Sequence, residues 1–211
     1  MRKVVFATLV ALLTLASHAA WAIELIPSAG YRWGGGMTTI SGIKKFDTED
    51  TYTYGGALST SFPGSSAEIY YGHFKGKLFA TTTPTVTNPA GQEITGEVTR
   101  DDIMLTGLWY AGSGLNSTRP YFSLGLGASI FTSPRSESVG RFAWSLGVGI
   151  RHDFGDRLGI RVDGRWLPTW VSTGSGVWCD YYYGCYTAGT GEYYDQWETT
   201  LGLILKLGQS H

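Results

Sequence analysis

Between Leu158 and Trp170 the chain changes chemistry at nearly every residue. Leu158, Ile160, Val162, Gly164, Trp166 and Trp170 fall on one parity, and Arg157, Gly159, Arg161, Asp163 and Arg165 fall on the other. A helix, repeating every ~3.6 residues, would smear the two sets around its circumference. A β-strand separates them, because successive side chains point to opposite faces. The stretch therefore reads as a strand with one apolar and one strongly charged face, and the fold must give those faces different surroundings.

Seven further stretches carry the same dyad. Residues 23 to 33 set Leu25, Pro27, Ala29, Tyr31 and Trp33 against Glu24, Ser28, Gly30 and Arg32, with Ile26 out of phase. This is β1, and Pro27, having no N–H, belongs near its start or where its ladder is interrupted. The others are β2 (51 to 62), β3 (67 to 76), β4 (99 to 110), β5 (119 to 131), β6 (141 to 154) and β8 (195 to 207), with β7 at 157 to 170. In β8, Trp197, Thr199, Leu201, Leu203, Leu205 and Leu207 alternate with Gln196, Glu198, Thr200, Gly202 and Lys206, Ile204 being the exception. Its length suits a tilted crossing of a bilayer.

Two joints are specified closely enough to test. A four-residue turn, Pro63 to Ser66, would set Phe62 opposite Ala67, Thr60 opposite Ile69 and Leu58 opposite Tyr71. Between β6 and β7 the loop must hold an odd number of residues, since a two-residue Gly155-Asp156 turn would oppose Phe154 to Arg157. Three loop residues are expected, placing the glycines of β6 across from long charged side chains of β7.

The chain begins with Arg2 and Lys3, an apolar run from Val4 to Ala16, and Ala20-Trp21-Ala22. This is the pattern of a signal peptide cleaved between Ala22 and Ile23, leaving residues 23 to 211 as one domain. With 16 Lys and Arg against 17 Asp and Glu, nothing suggests nucleic acid; charged residues are only 16% of the chain, whereas 30 Gly, 13 Tyr and 8 Trp suit strands, turns and lipid–water boundaries. Export also favours a local disulfide between Cys179 and Cys185 over free thiols; a metal site is poorly supported because no His accompanies the pair.

Alternation alone leaves open which face looks outward. A secreted lipocalin-type barrel would keep its apolar face inside. Three features favour the inverse. Connections alternate long and short from β1 to β8, Gly and Ser crowd the polar faces of β5 and β6 opposite Arg and Asp of β7, and β8 ends close to the terminus. The lipocalin Gly-x-Trp spacing is missed at Gly30-Tyr31-Arg32-Trp33. The expectation is an all-β, eight-stranded antiparallel transmembrane up-and-down barrel, closed because hydrocarbon cannot satisfy an open edge.

Thr200, Gly202, Leu205 and Leu207 match the polar-x-Gly-x-x-apolar-x-apolar spacing and resemble the C-terminal assembly signal of outer-membrane barrels. With the leader, the opening IELIPSAGYRWGGG, the strand count and the closing TLGLILKL, the mature chain resembles the small eight-stranded outer-membrane barrel family, which includes outer membrane protein X and the transmembrane part of outer membrane protein A. The resemblance implies a Gram-negative cell outer membrane, contact with its lipids and lipopolysaccharide, and insertion by the barrel-assembly machinery.

The polar face supplies Glu24, Arg32, Glu68, Asp102, Arg151, Asp153, Arg157, Arg161, Asp163, Arg165, Glu198 and Lys206 as lumen charges. In a narrow barrel these pair and plug the interior, with Arg151, Asp153, Arg161, Asp163, Arg165 and Glu198 as the centre of the network. The function expected is non-enzymatic, a structural or adhesive role through the external loops, with no cofactor. Loop 4, residues 172 to 194, gathers Trp178, Tyr181, Tyr182, Tyr183, Tyr186, Tyr193 and Tyr194 around the cysteines and is the candidate contact surface for an extracellular partner. A narrow channel for small solutes is the alternative. A lipid-modifying enzyme is the third class, and would need an acid–base pair near the outer rim of β2 to β4. The His-x-Ser motif of lipid A deacylases is absent, the corresponding windows being His73-Phe74-Lys75 and His152-Asp153-Phe154.

Overall fold

The computed structural model describes residues 23–35, 37–40, 43–82, 93–112, 117–132, 138–171, 177–180, 184–187 and 192–207. Eight antiparallel strands close on themselves: β1 Ile23–Gly34, β2 Thr51–Phe62, β3 Ser65–Thr82, β4 Glu93–Tyr110, β5 Thr118–Thr132, β6 Val139–Asp153, β7 Leu158–Trp166 and β8 Gln196–Lys206. Each strand pairs with its neighbours in sequence, and β8 returns to β1. No helix is present among the described residues.

The register measures the barrel. Leaving β1 at Ile23 and stepping through directly paired residues leads to Thr60, Ala67, Gly107, Leu124, Leu146, Trp166, Trp197 and back to β1 at Trp33. The circuit closes ten residues from where it started. With a rise of ~3.3 Å per residue and ~4.8 Å between strands, that stagger corresponds to a tilt of about 41° and a radius of about 8 Å. Such a cylinder is filled by its own side chains.

The dyads place apolar residues outside. Leu105 (66% exposed), Val148 (67%), Leu126 (55%), Ile150 (54%) and Leu201 (58%) face outward, while Arg32, Arg100, Asp102 and Glu198 are buried inside. Out-of-phase apolar residues are interior: Ile26, Met104 and Ile204 cluster with Ala57 and Tyr70. In β1, the ladder to β8 skips from Leu25 to Ser28, interrupted at Ile26-Pro27 where proline has no N–H to donate.

The β6–β7 joint has the expected three residues: Phe154 N–H bonds to Leu158 O, Gly147 faces Arg165 and Gly149 faces Asp163. The β2–β3 joint does not. Its turn is the two residues Pro63-Gly64, so Phe62 pairs with Ser65, Thr60 with Ala67 and Leu58 with Ile69. Gly64 adopts φ 75°, which a Pro-Gly turn requires, and so releases Ser65 and Ser66 to the ladder. The two-residue change in loop length shifts the pairing while preserving the faces.

Strands β3 and β4 are longer than expected, pairing out to Thr81–Glu93. Their Thr-rich ends lack the lipid-side alternation and so read as loop. Part of the connection between β1 and β2 joins this projection: Met37–Ile40 pairs with Ile43–Thr48, which pairs with β3. Beyond Leu167-Pro168, β7 resumes as Thr169–Val171, in register with Glu192–Tyr194, the segment preceding β8. Tyr193 and Tyr194 therefore extend the barrel wall rather than belonging to the loop cluster.

Candidate functional site

Alternate residues of all eight strands converge on the axis, and their charges balance. Among the described residues, Arg32, Arg100, Arg151, Arg161 and Arg165 are buried with Glu24, Glu68, Asp102, Asp163 and Glu198, five cations with five carboxylates.

Toward the end with the long connections, Arg32 of β1 donates to Asp102 Oδ2 (2.8 Å) and to Glu198 Oε2 (3.0 and 2.5 Å). Arg100 of β4 donates to Asp102 Oδ1 (2.8 Å), Gln196 Oε1 (2.8 Å) and Ser129 Oγ (2.9 Å). The Tyr70 hydroxyl donates to Glu198 Oε1 at 2.8 Å, and the Arg165 guanidinium lies 4.1 Å from the Tyr70 ring centroid. Against this layer pack Phe74, Phe131 and Tyr194. Arg32 lies 5.4 Å from the Phe74 centroid, Arg100 lies 5.3 Å from that of Phe131, and Tyr194 hydrogen-bonds to Thr48 Oγ1.

Midway along the barrel, Arg161 of β7 pairs with Glu68 of β3, and Tyr121 donates to Asp163. Room for that tyrosine comes from Gly149, where a Cβ would lie 2.4 Å from the phenol oxygen. At the end with the short turns, Arg151 forks onto Glu24 with two 2.7 Å bonds and also meets Asp153 at 2.9 Å. Asp153 further pairs with Arg119 at 3.0 Å and Lys206 at 2.9 Å.

Three of these contacts run between opposite walls. Strands β3 and β7 stand four apart in the ring of eight, as do β4 and β8, so Arg161–Glu68, Arg165–Tyr70 and Arg100–Gln196 cross the axis. Charged groups withdrawn from water cost several kcal/mol each unless paired, and here each arginine meets a carboxylate. The interior is a cross-brace.

Arg151, Asp153, Arg161, Asp163, Arg165 and Glu198 thus all point inward, Asp153 from the turn-side rim. Arg157 does not: it is exposed in the β6–β7 turn, a consequence of the three-residue loop ending at that position. Sequence reasoning missed Arg100, Tyr70, Tyr121 and Gln196. Arg100 shares the parity of Asp102 two residues on, a signal masked by the inward Met104 and Leu108 of the same strand. Thr200 and Gly202 face the lumen, with Leu207 outward and Leu205 half-exposed. Ile23 begins β1, and Ala22 lies outside the described residues. Cys179 and Cys185 are directly opposed in a separate hairpin formed by Val177–Asp180 and Gly184–Thr187. His152 is half-exposed, its Nδ1 2.6 Å from Thr118 Oγ1, and His73 has Asp101 at 2.7 Å on the outer surface.

Among solved structures, Neisserial surface protein A superposes with a TM-score of 0.54 at 6% identity, covering 90% of this chain and 98% of that one. It has the fold of the small eight-stranded outer-membrane barrels. The N-terminal β-barrel domain of Pseudomonas aeruginosa OprF matches with a TM-score of 0.47 at 15% identity, over 87% of this barrel's chain and 96% of its own. Outer membrane protein AlkL, determined in lipid bilayers, gives 0.48 at 18% identity, over 90% and 92%. No protein-family model and no curated protein matches the barrel at the level of sequence.

Proposed function

We propose that this barrel resides in the outer membrane as a non-enzymatic envelope protein whose contacts are made by its external loops. The observation that carries this reading is the set of axis-crossing contacts, Arg161–Glu68, Arg165–Tyr70 and Arg100–Gln196, within a charge-balanced interior. A lumen spanned by its own side chains leaves the ends and outer surface as the places to meet partners. Loop 4 is the leading one, with Trp178 and Tyr186 cross-paired in its hairpin beside the opposed cysteines. Tyrosine-rich loops present contact area at small entropic cost. Signal-peptide cleavage after Ala22 and insertion by the barrel-assembly machinery belong to the same reading.

The test has two arms. Planar-bilayer recordings of the refolded barrel should show no stable conductance step, and reproducible porin-like steps would reject the sealed interior. Deleting residues 177 to 186 should abolish attachment of expressing cells to host cells or matrix while leaving the barrel in the outer-membrane fraction. Unchanged attachment would reject loop 4 as the contact surface.

A further inference from the structure

Among the described residues, the outward face carries an acid–imidazole pair at the upper boundary of its apolar belt. About 2.5 Å of height per residue and about 3 Å per strand step, both set by the tilt, put Trp33, Trp144, Trp166 and Trp197 within about 6 Å of one level. Trp109 and Phe62 lie about 20 Å below, so these two rings of aromatics bracket a membrane-spanning belt. Four adjacent strands, β6, β7, β8 and β1, thus present tryptophan at the upper boundary. At the same level β3 and β4 present His73 and Asp101, cross-strand partners with side chains 21% and 28% exposed.

The pair is held in a defined orientation. His73 Nδ1 lies 2.7 Å from Asp101 Oδ1, and the Tyr71 hydroxyl donates to that same oxygen at 2.7 Å. The Tyr54 ring packs 4.8 Å from the imidazole, centroid to centroid. With Nδ1–H donated to Asp101, Nε2 is the second polar atom of the ring. Lys75 and Lys77 follow on the same outward parity of β3, about 5 and 10 Å higher. Their acidic neighbours are Glu97, 3.4 Å from Lys75 in a pair more than half exposed, and Glu49, whose carboxylate accepts the Lys77 backbone N–H. The exposed Lys75–Glu97 pair is weak, so the Lys75 ammonium can turn to a stronger anion. Beside them, Tyr52 and Tyr54 expose 79% and 61% of their surface.

We infer that this face of β2, β3 and β4 is a headgroup site for a phosphorylated glycolipid of the outer leaflet. His73 Nε2 accepts a sugar hydroxyl, the Tyr52 and Tyr54 rings take the apolar face of the sugar, and Lys75 and Lys77 meet the phosphate. The site rests on the outer-membrane reading proposed above, because only there does such a lipid stand at this level. It makes β3 and β4 the side of the barrel that orders its lipid, where the tryptophan arc only borders it.

The barrel is refolded in detergent, challenged with purified lipopolysaccharide or with phosphatidylglycerol, and its bound lipid is counted by native mass spectrometry. Heat-dependent gel mobility confirms folding of each variant. The unaltered barrel should retain lipopolysaccharide in preference to phosphatidylglycerol. Lys75→Ala/Lys77→Ala should lower its retention by about tenfold, the loss of charge-assisted contacts, and His73→Ala by about fivefold, the loss of one neutral hydrogen bond. Arg157→Ala, in the far turn, should bind as the parent does. Folded site variants that retain lipopolysaccharide like the parent, or a parent that binds both lipids equally or neither, would overturn the site. Cell fractionation reports separately on the outer-membrane reading: a folded barrel that binds lipopolysaccharide in vitro but is missing from that membrane would sink the location alone.

Discussion

Glu198 shows what a single side chain does here. It is 1% exposed, accepts from Arg32 and Tyr70, and lies 3.6 Å from Arg165 Nε. Taking away its charge removes one of the two carboxylates that each of Arg32 and Arg165 meets, and breaking a buried pair from one side costs about 3–5 kcal/mol. Glu198→Gln should therefore lower the unfolding free energy in vesicles by about 3 kcal/mol. Adding Arg32→Met should cost less than the sum of the two single changes, because the Arg32–Glu198 interaction is lost in both and can be lost only once. Additive losses in a urea-unfolding cycle would show that the two side chains act independently.

Among the elements, β8 ties chemistry to depth. Leu201 lies near mid-belt and Leu207 at the turn-side boundary, both outward and exposed. Leu201→Arg should cost about 2–4 kcal/mol in a bilayer, and Leu207→Arg about 1 kcal/mol or less, as depth-dependent desolvation requires. Equal costs would contradict the placement of the belt. The hairpin of loop 4 makes a different claim. Cys179 and Cys185 face each other across its ladder, and we propose that they are joined in the exported protein. Alkylation of the unfolded, unreduced protein should add no label to either cysteine, with both labelled after reduction; labelling before reduction would show free thiols.

At the scale of the whole molecule, closure is the controlling event. An open edge in hydrocarbon leaves backbone groups unsatisfied at several kcal/mol each, so seven strands without β8 to join β7 to β1 have no stable form in the bilayer. Unboiled barrel should migrate differently from boiled barrel in a detergent gel. A chain lacking residues 196 to 207 should show one mobility in both conditions. A heat-dependent shift in that truncation would mean that closure is not what protects the fold.

Residue order alone determined that there are two faces, how many strands carry them and that the β6–β7 loop is odd, because alternation is a property of neighbouring residues. Arg161 and Asp163 could be assigned to the polar face from their parity, and Leu126 and Val148 to the apolar one. The length of the Pro63-Gly64 turn was not legible, since two or four turn residues preserve the same faces. Nor was the interior role of Tyr194, or the meeting of Arg100 with Gln196 and of His73 with Asp101. Those contacts depend on register and on the ten-residue stagger with which the sheet closes. Only the closed sheet decides which distant side chains share a height, and shared height is what turns a list of charges into a brace.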